Sequence, residues 1–111
     1  MSSVERRVPR KKVNRPVGIL KRGQYSVERM LQVGEGGLMV SGLSDLEVGD
    51  RILMTFSLRG EGFFTSRGTV RYQLDETAKK MYGVEFDELP FQVLREIRSF
   101  VASSNTKSQA A

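Results

Sequence analysis

The chain contains no cysteine, no histidine and no tryptophan. Without cysteine there are no disulfides, thiolate metal sites or thiol nucleophiles, and without histidine the commonest general base and metal ligand is gone. Long apolar runs are missing too. No stretch approaches the roughly 20 residues of a membrane-spanning helix, and the N-terminus is charged where a secretory signal needs an apolar core. A cytoplasmic protein is expected. Acids are scarce in one place: residues 1–22 hold eight Lys/Arg and one acid, whereas the rest holds ten basic and twelve acidic side chains. The net charge of +5 therefore belongs to the entry segment, which favours a local anion site over a surface coated for general nucleic-acid binding, although a solvated basic tail has the same composition. The length of 111 residues suits one domain.

Strand signals occupy most of the chain. Val13 to Leu20 is apolar and extended in character, with Pro16 where a missing N–H is tolerable, and predicts a first strand. Lys21-Arg22-Gly23-Gln24 supplies a turn, and Val27 to Val33 a second strand. Gly34-Glu35-Gly36-Gly37 is placed as a hairpin link before Leu38-Met39-Val40, because glycine permits positive φ and a close ligand approach. Ile52, Met54, Phe56 and Leu58 then alternate with Leu53, Thr55 and Ser57. Phe64, Ser66, Gly68, Val70, Tyr72 and Leu74 form the longest alternation, and Tyr82, Val84 and Phe86 repeat it. Met30, Met39, Met54 and Met81 read as core fillers. Six strands with short turns predict a mainly-β protein, a small antiparallel barrel.

Beyond Pro90 the period changes. Val93, Leu94, Ile97, Phe100 and Val101 recur at helical spacing, predicting a C-terminal helix over about 90–102 whose apolar stripe covers one barrel opening. Pro90 fits the first helical turn, and Asp87 and Glu88 lie where the positive helix end favours acids. The expected layout is a flexible basic arm (1–12), a barrel with its helix (13–102) and a polar, disordered tail (103–111).

The arm reads Glu5-Arg6-Arg7-Val8-Pro9-Arg10-Lys11-Lys12. Arginine forks pair bidentately with phosphate oxygens or the O6/N7 edge of guanine and stack on bases, so a nucleotide is a natural ligand. A single-strand nucleic-acid binder would instead use Arg67 and Arg71 with exposed aromatics, of which Phe63 is the obvious candidate. Asp45, Asp50 and Asp75 fall in turns with no nucleophile–base pair, so no enzyme is expected. Tyr25 suits either the lining of a ligand site or the cover of a barrel edge.

Taken in order, Arg6-Arg7-Val8-Pro9-Arg10, Glu35-Gly36-Gly37-Leu38-Met39-Val40, Val48-Gly49-Asp50-Arg51-Ile52 and Tyr82-Gly83-Val84-Glu85-Phe86, with the closing helix, resemble a PilZ domain over residues 5 to about 102. The resemblance implies a split-barrel-like β-barrel and, as ligand, cyclic di-GMP, a bacterial second messenger with two guanines and two phosphodiesters. It implies that Arg6 and Arg10, at the family's Arg-x-x-x-Arg spacing, fold over the ligand with Arg7 assisting. The family's second motif, Asp/Asn-x-Ser-x-x-Gly, reads Gln32-Val33-Gly34-Glu35-Gly36-Gly37 here, so Gly37 matches while Gln32 and Gly34 replace the acid or amide and the serine. The implied site is Arg6, Arg7, Arg10, Gln32, Gly34 and Gly37, with no metal and no cofactor besides the ligand. Gln32 keeps an amide for a guanine edge, Gly34 offers only its backbone N–H, and Glu35 opposes binding if it faces the phosphates. The implied output is a changed surface near residues 5–15, read by a protein partner in motility, pilus or biofilm control. The alternative is a degenerate domain that no longer reads nucleotide and serves as a protein-interaction module. Nucleic-acid binding and membrane insertion are not expected.

Overall fold

Two adjacent residues with positive φ, Arg22 at 51° and Gly23 at 81°, close the first hairpin. Loops with φ > 0 at both central residues match the right-handed twist of the flanking strands. The strands they join are β1 (Arg10–Lys21) and β2 (Gln24–Gly34). β3 (Gly37–Gly42), β4 (Arg51–Phe56), β5 (Phe64–Glu76), β6 (Lys79–Phe86) and α1 (Phe91–Ala110) follow. The structure, a computed structural model, describes residues 9–42, 45–60, 62–76 and 79–110. Its six strands pair in the order β1-β2-β3-β6-β5-β4, and β4 returns to β1, so the antiparallel sheet closes and presents no unpaired edge.

Inward alternation fills the barrel. Val17 and Ile19 of β1, Met54 and Phe56 of β4, Val70 of β5 and Tyr82 of β6 are each at most 1 % exposed. The Phe56 ring stacks on Phe86 at 6.2 Å and tilts against Phe64 at 6.0 Å, an aromatic node between β4, β5 and β6. The helix packs on β1 and β2, and its Ile97, Phe100 and Val101 join the same core as the strand residues. Lys11 Nζ lies 4.3 Å from the centre of the Phe100 ring, with the Arg59 guanidinium at 5.4 Å.

Several local expectations are corrected. β1 begins at Arg10, inside the segment that charge alone assigns to the arm, because Arg10, Lys11 and Lys12 pair with Gly34, Val33 and Gln32. None of the glycines from Gly34 to Gly37 has positive φ. Gly34 and Gly37 are required instead by close approach: a Cβ on Gly34 would stand 2.7 Å from the Pro9 carbonyl oxygen, and one on Gly37 would overlap that of Val84. Tyr72 and Leu74 do not continue the inward face of β5; the register shifts between Val70 and Tyr72, leaving them 36 % and 44 % exposed. Met30, Met39 and Met54 are buried as expected, whereas Met81 is half-buried.

At the helix entry, Pro90 stands just before α1, its carbonyl accepting from Leu94 N at 3.0 Å. The first turn holds no acid, and Asp87 turns to the barrel, accepting from Thr69 Oγ1 at 2.7 Å and Arg51 Nη2 at 3.4 Å. The helical backbone continues past Ala102 to Ala110.

Candidate ligand cleft

The outer wall of the barrel is where the arm's strand and the glycine hairpin meet. Between β2 and β3 the register moves from Met30↔Val40 to Gln32↔Met39, so one extra residue, Leu31, stands on β2. That bulge turns Gln32 to the outer face while Met30 and Val33 stay at 0 % exposure inside. A row then crosses five strands through Lys12, Gln32, Met39, Gly83 and Tyr72, each paired with the next. A neighbouring row joins Gly37, Glu85 and Thr69.

These rows border a cleft of about 600 Å³. One side is formed by Arg10 and Gln32, the opposite side by Arg71, Tyr72 and Glu85, and the floor by Gly36, Gly37, Leu38, Met39, Gly83 and Val84. The concavity follows from missing side chains. A Cβ on Gly83 would overlap the Tyr72 ring, so glycine at this position lets the ring lie flat against β6, while the outer side of Gly36 meets nothing within 4 Å.

The cleft is cationic on the arm side. Neither Arg10 nor Lys12 has an acidic partner among the described residues. Across the cleft, Arg71 Nε donates to Glu85 Oε1. Glu35 faces away from the cleft. Arg98 of α1 holds it through Nε to Oε2 and Nη2 to Oε1, both 3.0 Å. Hydrogen bonding from Arg98, opposed by partial burial, lowers the Glu35 pKa, and the same pairing raises that of Arg98. The Glu35 carboxylate is thus paired with the helix and does not line the cleft.

Of the implied site residues, Arg10, Gln32 and Gly37 line this one cleft. Gly34 pairs with Arg10 beside it and does not line it. Arg6 and Arg7 lie outside the described residues. Tyr25 belongs elsewhere: its hydroxyl covers Gly18 on the β1–β2 surface, and the residue is 65 % exposed. Sequence reasoning missed Met39, Tyr72, Gly83 and Glu85 as lining residues and considered Arg71 only for nucleic acid. Gly83, a glycine amid an apolar alternation, was the available signal of close approach. No group of three acids that could hold a metal occurs among the described residues, and no described helix is long and apolar enough to cross a membrane.

Comparison with known proteins gives a match to the PilZ domain family model over residues 5–103. No curated protein matches. Among solved structures, the PilZ domain of YcgR from Escherichia coli, determined with c-di-GMP, aligns with a TM-score of 0.77 at 12% identity, covering 94% of this chain and 94% of that one. The K. pneumonia MrkH-c-di-GMP complex aligns at 0.81 and 13% identity, covering 94% of this chain and 54% of MrkH. The Bacillus subtilis inhibitor of motility MotI/DgrA aligns at 0.78 and 16% identity, covering 90% and 50%. The chain spans about half the length of MotI and MrkH. At such identities the shared property is the fold.

Proposed function

Because the chain belongs to the PilZ domain family, we propose that it is a receptor for cyclic di-GMP, the ligand named with the YcgR and MrkH structures, and that it works by binding rather than catalysis. The observation that carries this reading is convergence: Arg10, Gln32 and Gly37, from three different strands, border one cleft at the root of the arginine arm.

In this reading Arg10 contributes the fixed guanidinium and Arg6 and Arg7 close over the ligand from the arm. Each charge-assisted hydrogen bond to a phosphate contributes about 1.5–3 kcal/mol, against about 1 kcal/mol for the neutral bond that a serine at position 34 would add. The arginines therefore dominate and Gly34 is a modest loss. Gly34 has a positional role as well, since a side chain there would meet the Pro9 carbonyl and push Arg10 away from the ladder. Gln32 offers its amide to a guanine edge, and Gly37 lets a base approach the backbone. Met39 and the Tyr72 ring present an apolar surface to a purine face. Binding orders the arm against the barrel, and the changed surface near residues 5–15 is the signal to a partner protein.

A thermal-shift titration of the full chain with cyclic di-GMP, with GTP and the linear dinucleotide as controls, tests the reading. A concentration-dependent rise in the melting midpoint specific to the cyclic dinucleotide is expected; identical traces with all three would refute it. The second reading, an interaction module that does not read nucleotide, is favoured by Gln32 and Gly34 standing where the family pattern has Asp/Asn and Ser. It predicts a partner complex that is indifferent both to the dinucleotide and to alanine at Arg6 and Arg10.

A further inference from the structure

A carboxylate is an odd lining for a cleft that takes a dianion, yet Glu85 lines this one while Glu35 is turned away to Arg98. Glu85 is the cross-strand partner of Gly37, and Gly83 lies on the same face of β6 beneath the Tyr72 ring. A planar base resting on the Gly36–Gly37 backbone beside Tyr72 would present an edge to the Glu85 carboxylate. Arg71 Nε donates to Oε1, which offsets the charge and holds the side chain, while no described residue donates to Oε2.

We propose that Glu85 is the guanine-selecting group of the cleft, its carboxylate accepting from N1–H and the 2-amino group of one base, with Arg71 as the residue that positions it. The proposal rests on the reading of the cleft as a cyclic di-GMP site. An ionised carboxylate only accepts hydrogen bonds. Guanine offers it two adjacent donors, hypoxanthine only N1–H, and adenine an acceptor at N1, so the same carboxylate that binds guanine rejects adenine. The Arg71 and Glu85 side chains are 61% and 54% exposed, so their ion pair contributes little to folding and its geometry adjusts readily to a ligand.

Calorimetric titration of the full chain with cyclic di-GMP, cyclic di-IMP and cyclic di-AMP, on the parent, Glu85→Gln and Arg71→Gln, tests this. The parent should prefer the guanine ligand over the hypoxanthine one. Glu85→Gln should weaken cyclic di-GMP about tenfold or more and cyclic di-IMP less, so that the preference shrinks. Arg71→Gln should reduce the same preference while Glu85 remains. An unchanged melting midpoint of each unliganded variant shows that the fold is kept, as the exposure of both side chains requires. If Glu85→Gln binds cyclic di-GMP as tightly as the parent or tighter, or leaves the preference intact, Glu85 merely occupies Arg71 and the proposal is overturned while the receptor reading stands. A parent that binds none of the three removes the receptor reading and this proposal together.

Discussion

Substituting alanine at Gly37 should damage the protein far more than the same substitution one residue earlier. A Cβ at Gly37 would overlap the Val84 carbonyl oxygen and crowd the Glu85 Cα, all backbone of β6. That carbonyl cannot rotate aside, because Gly37, Leu38 and Met39 pair with Glu85, Val84 and Gly83 along the whole edge. Relief requires β3 and β6 to separate locally. Overpacking of this kind costs about 1–3 kcal/mol, and a rigid backbone obstacle places Gly37→Ala towards the upper end. For a domain near this size each kcal/mol moves the melting midpoint by about 4–8 °C, so a loss of roughly 10–20 °C is expected. Gly36 is the internal control: its added methyl meets nothing within 4 Å and its φ is not positive. Gly36→Ala should therefore stay within about 0.5 kcal/mol of the parent, or gain slightly from a less flexible unfolded chain. Parallel circular-dichroism melts and urea titrations of the two variants decide the matter. A Gly37→Ala midpoint within about 2 °C of the parent, or equal losses in both variants, would refute the close-approach account of the hairpin.

The Glu35–Arg98 link predicts a pH effect. The lowered Glu35 pKa contributes stability that is present above the ordinary value of 4.5 and is lost as pH falls through the folded-state value, so Glu35→Gln should flatten the acid limb of a stability–pH curve below that point; an unchanged limb would contradict the pairing. Phe56→Ala, at 0 % exposure between Phe64 and Phe86, should cost about 3–5 kcal/mol in urea unfolding. Tyr72→Ala should leave the melting midpoint within a few degrees, since the residue is 36 % exposed, yet reduce cyclic di-GMP affinity several-fold in calorimetry; equal affinity would remove the ring from the proposed site.

Legibility in the sequence followed the reach of the forces involved. The inward faces of β4 and β6 and the stripe of α1 were readable because each is a single uninterrupted period with one buried side. Tyr72 was misread because the register shift next to it is settled by pairing with β6, which no local window contains. The same holds for Glu35, whose direction depends on Arg98 in a distant helix, and for Arg10, which the ladder with Gly34 draws out of the arm. Of the cleft's lining, Arg10, Gln32 and Gly37 could be named from the order of the family's motifs. Arg71, Tyr72 and Glu85 join them only because the sheet runs β3-β6-β5, placing late strands beside the early hairpin.

The most direct test of the central claim is calorimetric titration of the full chain with cyclic di-GMP, alongside an Arg6→Ala/Arg10→Ala variant. The receptor account predicts saturable micromolar or tighter binding by the parent and at least about a hundredfold loss in the double variant, as expected for two charge-assisted contacts of about 1.5–3 kcal/mol each. No heat from the parent, or equal affinity in both proteins, would contradict it.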